Sequence, residues 1–210
     1  MTNMINQIHK NLEIKRQQQA GERLLTLISD TFGEEAYLAG GMVRDHYFGK
    51  VGDDFDIFIK HSEGFDYDSF MEPMLNGLPN FHSFRKLTKE DGSNYNVGAI
   101  RGVYEGTYSS FNEDAKVQVI VLFDEVEAYV EAGFACSLSE AWKKRGEEPW
   151  YSSNFLWSAN NNLMMFRFSG AFNHKYMEKI RAKFPDMEID DTTKERIHEK
   201  VARESYWRGI

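Results

Sequence analysis

The sequence predicts an α+β fold, and three observations carry that prediction. Apolar residues recur at largely helical spacing from Ile5 to Phe32. Two runs rich in β-branched and aromatic residues read as buried strands: Phe55, Ile57, Phe58 and Ile59, and then Lys116 to Phe123. Between the first helix and the first of these runs, Gly40-Gly41 follows the apolar Tyr37, Leu38 and Ala39 and precedes a helix-like pattern from Met42. That is a strand, a tight turn and a helix start.

Composition sets the frame for these elements. A chain of 210 residues that is 41% hydrophobic and 14% aromatic can bury one core, so a single compact domain over 1–210 is expected. Its core is expected at about 22–125, followed by a strand and helices over about 126–210. No apolar run approaches a membrane span and Met1 to Lys10 lacks an apolar signal core, so no membrane partner and a cytoplasmic location are expected. The single Cys136 excludes an intramolecular disulfide and reads as a buried thiol. Six scattered histidines give no zinc-ligand spacing. A formal charge of −8 argues against a broad grip on a nucleic-acid backbone, and no DNA partner is expected. The basic clusters at Lys10–Arg16, Arg85–Lys89, Lys143–Arg145 and Lys194–Arg208 read mainly as solvated charge.

In chain order, Ile5, Ile8, Leu12, Leu24, Leu25, Leu27, Ile28 and Phe32 form the first helical stripe, with Gly21 expected to bend or divide it. Gly33 closes this helix. Ser69–Leu78 reads as a short helix stopped by Gly77 and Pro79, with Asp66-Tyr67-Asp68 as its charged entry. Residues 81–87 and Val97–Tyr108 read as strands around an Asp91-Gly92 turn. Gly98, Gly102 and Gly106 in the second suggest bulges or the close approach of another group, curvature being favoured over phosphate. In Lys116–Phe123, Val117, Val119 and Val121 face one way and Gln118, Ile120 and Leu122 the other. Asp124–Trp142 reads as helical, with a second helix start at Ser137-Leu138-Ser139-Glu140. The aromatic group Trp142, Trp150, Tyr151, Phe155 and Trp157 reads as packing rather than base stacking. Leu163–Phe168 is a last strand. His174–Phe184 is an amphipathic helix with Tyr176, Met177, Ile180 and Phe184 inward and Lys175, Lys179 and Lys183 outward. Thr192-Thr193-Lys194-Glu195 offers a capping box for a final helix carrying Ile197, Val201 and Ala202.

The chemistry concentrates between Ala36 and Lys60. On a strand, Asp54 and Asp56 project from one face while Phe55, Ile57 and Ile59 take the other. Adjacent carboxylates repel, and hard oxygen ligands at the head of a strand suit Mg²⁺ or Mn²⁺ carrying a nucleotide's phosphates. Gly40-Gly41-x-x-Arg44-Asp45 followed by Asp54-x-Asp56 resembles the head domain of the CCA-adding enzymes and bacterial poly(A) polymerases, within the polymerase-β-like nucleotidyltransferases.

That resemblance implies a mixed β-sheet flanked by α-helices and transfer of a nucleoside monophosphate from a nucleoside triphosphate to a hydroxyl. It implies Asp54 and Asp56 as catalytic metal ligands. Gly40, Gly41 and Arg44 become candidates for the phosphates, with Arg44 equally able to pair with Asp45 or Asp54, and Lys50 a further candidate. The family often carries a third carboxylate on the neighbouring strand, where this chain has Gln118, a neutral amide able to bond a nucleotide or water but a poor ligand for Mg²⁺. The alternative is therefore a degenerate relative that binds a nucleotide, RNA or protein, in a phage or toxin and defence setting by analogy. The expected acceptor is an RNA end, a protein or a small molecule. CCA addition to transfer RNA unaided is not expected of a chain this short and acidic.

Overall fold

The computed structural model describes residues 2–88, 98–110, 113–167 and 174–197. The elements run α1 (Thr2–Phe32), β1 (Tyr37–Ala39), α2 (Gly41–Tyr47), β2 (Phe55–Lys60), α3 (Tyr67–Gly77), β3 (Phe81–Lys86), β4 (Ile100–Ser110) and β5 (Glu113–Leu122). They continue with α4 (Val126–Gly133), β6 (Ala141–Lys144), β7 (Trp150–Tyr151), α5 (Ser153–Asn161), β8 (Leu163–Met164), α6 (His174–Lys183), β9 (Glu188–Ile189) and α7 over 191–197. No helix among the described residues is long and apolar enough to cross a membrane.

A mixed seven-stranded sheet, in the order β3-β4-β5-β2-β1-β6-β7, organises the molecule, and only β2 and β5 pair in parallel among its described strands. The alternation read from the sequence sets its two faces. Leu38, Phe55, Ile57, Ile59, Val117, Val119 and Val121 pack with Leu24, Leu25 and Ile28 of α1 and Met71 and Leu75 of α3. Tyr37, Phe58, Ile120 and Leu122 turn the other way, against Val126 and Val130 of α4. A third cluster joins Cys136, Leu138, Met164 and Phe166 to Met177, Ile180 and Phe184 of the α6 region. The cysteine is a buried free thiol, as expected.

Several elements depart from the sequence reading for identifiable reasons. α1 is one helix through Gly21, where an added Cβ would lie 3.2 Å from Leu38. The glycine admits a strand and does not break the helix. The anticipated stripe is buried only in its later part: Leu24, Leu25 and Ile28 are enclosed, whereas Ile5, Ile8 and Leu12 are about half exposed. Ser137–Ser139 forms a single 3₁₀ turn, and the expected helix after it is strand β6. Ala141–Lys144 is too short for its pattern to declare itself, and pairing with β1 decides its state. Trp142 there stacks on Trp150 of β7, ring centroids 3.6 Å apart. The last strand is reduced to Leu163–Met164 plus a bridge from Phe166 to Cys136. Asp190, rather than the threonine pair, caps α7 by accepting from the Thr193 N–H at 3.2 Å.

The glycines of β4 are resolved as local packing. A register shift falls between Ile100 and Gly102, and the Phe84 ring occupies the space above Gly106, 2.3 Å from where a Cβ would sit. The close approach is made by an aromatic ring. The Asp91-Gly92 turn, Val97, Phe168, Val201 and Ala202 lie outside the described residues.

Candidate active site

The carboxylates stand at the head of β2, on the sheet face that α4 covers farther along. Asp54 immediately precedes the strand and Asp56 is its second residue. Register places Asp56 opposite Gln118 of β5, and Gln118 opposite Glu105 of β4. Three polar side chains therefore form one row across three adjacent strands. Asp56 Oδ1 is buried and has no hydrogen-bond partner. Burial, and then the charge of Asp54, push the Asp56 carboxyl up to about 7, while Lys179, Lys116 and Arg44 act in the opposite sense. A buried carboxylate oxygen without a donor is costly, and native proteins seldom tolerate one without a ligand to complete it.

The Gly-Gly turn brings α2 against this strand. Gly40 adopts φ 75°, a conformation that glycine enters without steric cost, and the Phe134 ring lies 3.2 Å from where its Cβ would be. Its N–H donates to Ala141 O at 2.9 Å, so that amide is committed to the sheet. Gly41 begins α2. Arg44 points inward and is 3% exposed. Its Nε donates to Asp45 Oδ1 at 2.9 Å, its Nη1 to Ser139 Oγ at 3.3 Å, and its guanidinium lies 5.4 Å from the centre of the Phe184 ring. Of the two roles open to Arg44 in the sequence, pairing with Asp45 is the one observed, and its charge still acts on Asp56. Lys50 is half-buried, its Nζ 5.2 Å from the same Phe184 ring.

Helix α6 supplies what the sequence reading missed. Lys183 was expected to face outward, yet its Nζ donates to Asp45 Oδ2 at 2.6 Å and lies 3.1 Å from Asp53 Oδ2. Lys179 lies 3.5 Å from the same Asp53 oxygen. Tyr176 shares a 2.7 Å hydrogen bond with Ser139 Oγ, the hydroxyl that also accepts from Arg44. Asp45 is thus buried but fully engaged, in contrast to Asp56. Hydrophobic spacing indicated the inward face of α6 correctly for Met177 and Ile180. It gave no sign that Lys183, at the end of the lysine face, would be covered, because the covering residues come from α2 and the segment before β2.

Gln118 is 6% exposed, and its Nε2 donates to Glu105 Oε2 at 2.6 Å. Lys116 Nζ approaches the same oxygen at 2.7 Å. Neither Glu105 nor Lys116 was singled out by sequence. The alternation of β5 could have indicated Lys116, which shares a face with Gln118, whereas Glu105 required the β4–β5 register. A separate cleft of about 400 Å³ opens on the other side of β1, lined by Lys15, Glu22, Leu38, Val43, His46 and Lys143 among others.

The donor set fits a divalent cation that shares its coordination with a substrate. Asp54 and Asp56 offer hard oxygens, one of them buried and unpartnered. Among the described residues no group of three or more His, Cys, Asp or Glu side chains converges as an all-protein metal cage.

No protein-family model matches the chain, and no curated protein matches it by sequence. Solved structures match its fold. A CCA-adding enzyme in complex with ATP aligns with a TM-score of 0.59 at 14% identity, over 94% of this chain and 45% of that one. The Thermotoga maritima CCA-adding enzyme complexed with tRNA aligns with a TM-score of 0.59 at 15% identity, over 95% and 46%. A tRNA nucleotidyltransferase complexed with a primer tRNA and an incoming ATP analog gives 0.52 at 12%, over 85% and 50%. The chain therefore has the α+β fold of these nucleotidyltransferases, as its motif resemblance implied, and spans about half of their length or less.

Proposed function

We propose that this protein is a metal-dependent nucleotidyltransferase. The observation that carries the reading is Asp56 Oδ1, buried without a partner beside Asp54 at the head of β2, in a fold shared with CCA-adding enzymes. In the transfer, an acceptor hydroxyl oxygen bonds to the α-phosphorus of a nucleoside triphosphate. The bond from that phosphorus to the oxygen bridging to the β-phosphorus breaks, pyrophosphate leaves with the electron pair, and the hydroxyl proton passes to solvent. Asp54 and Asp56 would hold Mg²⁺ or Mn²⁺, whose charge, when bound, offsets that of the triphosphate.

The remaining roles belong to the chain itself. Gly40 and Gly41 form the turn that starts α2, where a side chain on Gly40 would meet the Phe134 ring and one on Gly41 the Arg44 guanidinium. Arg44 and Lys183 fix α2 and α6 against the strand head through Asp45 and Asp53. Lys179, more than half exposed and held only at 3.5 Å, is the cation best placed to exchange Asp53 for a phosphate. Lys50, beside the Phe184 ring, is a second cation for the same charge. The acceptor is an RNA end, a protein or a small molecule, the first supported by the tRNA complexes among the structural neighbours.

Gln118 favours a second reading, in which nucleotide and cation bind without turnover, since an amide is a poor substitute for a third carboxylate. A labelled transfer assay separates the two. Purified protein is incubated with Mg²⁺ or Mn²⁺, each α-labelled nucleoside triphosphate, and RNA, protein or small-molecule acceptors, with Asp54→Ala/Asp56→Ala alongside. Transfer by the wild type alone supports the enzyme. Nucleotide binding lost in the variant without transfer supports the second reading. Equal behaviour of the two proteins overturns both.

A further inference from the structure

Gly52 lies two residues before Asp54, in the segment that carries the chain from α2 to the head of β2. It is buried, and one side chain of α1 meets both of its backbone polar groups. Gln17 Oε1 accepts from the Gly52 N–H at 2.9 Å, and Gln17 Nε2 donates to Gly52 O at 2.9 Å. The Gly52 N–H needs an acceptor and its carbonyl a donor, so this one residue fixes which end of the amide faces which, whatever the second Nε2 hydrogen meets. The same Oε1 lies 3.0 Å from His46 Nε2. A carbonyl oxygen only accepts, so that ring nitrogen carries the proton, and α2 is tied into the clamp. A Cβ on Gly52 would lie 2.3 Å from Met42 Sδ, so the segment is also pressed closely against α2.

The clamp acts between two fixed points. Lys50 N–H donates to Asp45 O at 2.7 Å, and Phe55 enters the sheet opposite Val117. Between them Asp53 pairs with Lys183 and Lys179, but its side chain is more than half exposed, and ion pairs in solvent contribute little. Asp56 is fixed by the β2–β5 ladder, whereas Asp54 stands one residue outside the strand and takes its place from whatever holds the segment before it.

We propose that Gln17 is a positioning residue: by fastening Gly52 to α1 and α2 it sets the path of the chain into β2, and with it the place of the Asp54 carboxylate beside Asp56. This rests on the reading of Asp54 and Asp56 as the cation ligands. Releasing Gly52 loosens one of the two ligands and spares the other.

The fold supplies its own control, a clamp of the same construction remote from the carboxylates. Asn76 of α3 donates from Nδ2 to Phe84 O at 2.8 Å and accepts from the Phe84 N–H at 2.8 Å, on β3 at the far edge of the sheet. The test measures Mn²⁺ binding by the full chain, without nucleotide, through the free-ion electron paramagnetic resonance signal, with a urea titration of each variant. Gln17→Leu should lower Mn²⁺ affinity about tenfold, the scale on which loss of a group that orients a metal ligand is felt. Asn76→Leu should lose stability comparably and keep Mn²⁺ affinity to within about twofold of wild type. Gln17→Asn keeps a polar amide but is one methylene too short to span both groups of Gly52. It should weaken Mn²⁺ binding in the same direction, and it carries the test if Gln17→Leu does not fold. Wild-type affinity in a folded Gln17 variant, or an equal loss in Asn76→Leu, overturns the proposal. Mn²⁺ binding that survives Asp54→Ala/Asp56→Ala instead overturns the cation site on which it rests, so the two failures are distinct.

Discussion

The chain contains two Asp-x-Asp tripeptides close together, Asp54-Phe55-Asp56 and Asp66-Tyr67-Asp68, and the protein treats them in opposite ways. Asp66 caps α3 by accepting from the Ser69 N–H at 3.2 Å, and Asp68 pairs with both Lys86 and Arg101 at the surface. Every charge in that pair has solvent or a partner, and both carboxyls sit below their ordinary pKa. Asp56 is held beside Asp54 with one oxygen enclosed and unpartnered, and its carboxyl is pushed up. The same residue pattern stabilises the fold when its demands are met internally, and opposes it when they are left for something outside the chain. The second condition is what a binding site requires.

The largest expected effect tests that contrast directly. Asp54→Ala/Asp56→Ala should reduce nucleotidyl transfer by about a thousandfold or more, whereas Asp66→Ala/Asp68→Ala should leave transfer and Mn²⁺ binding near wild type. Equal losses in both would erase the distinction. Next comes Lys183→Met, which leaves the buried Asp45 with Arg44 alone. It should lower unfolding free energy by about 1–3 kcal/mol in urea titrations, because a removed partner leaves a buried charge undercompensated.

Asp56→Asn should act in the reverse direction. With chelator present, replacing the unpartnered carboxylate by an amide is expected to raise stability by about 1–2 kcal/mol while abolishing the gain on adding Mn²⁺. A destabilised Asp56→Asn would mean that the fold depends on that charge. The smallest effect concerns Asp68. Hydrogen bonds from Lys86 and then Arg101 hold its carboxyl below the ordinary 3.8. A depressed folded value contributes stability above the unfolded pKa, and that contribution is lost as pH falls through the folded one. Asp68→Asn should therefore lower stability slightly at neutral pH and converge with wild type once acid has protonated Asp68, which makes the acid limb slightly shallower.

What the sequence made legible was local. Alternation placed Val117, Val119 and Val121 opposite Gln118 and Ile120, and the apolar run behind Asp56 separated it from Asp68, which has none. These features depend on residues within a few positions of one another. What stayed hidden depends on elements distant in the chain. Ala141–Lys144 became a strand because β1 offers an edge, and Gly21 stayed helical because Leu38 packs on it. Lys183 turned inward because Asp45 and Asp53, more than a hundred residues earlier in the chain, meet it there. Glu105 belongs to the same class, since only strand register brings it next to Gln118.

The parallel pairing of β2 with β5 also bears on how the protein matures. Antiparallel neighbours such as β4 and β5 are joined by a short connection, but β2 and β5 meet only after α3, β3 and β4 have been laid down between them. Closing such a loop is entropically slow compared with zipping a hairpin. Asp56 and Gln118 face each other across this late seam, so competence to bind a cation is expected to return only with the slowest refolding phase. A partly folded chain would carry both aspartates without the neighbouring strand that shapes their site.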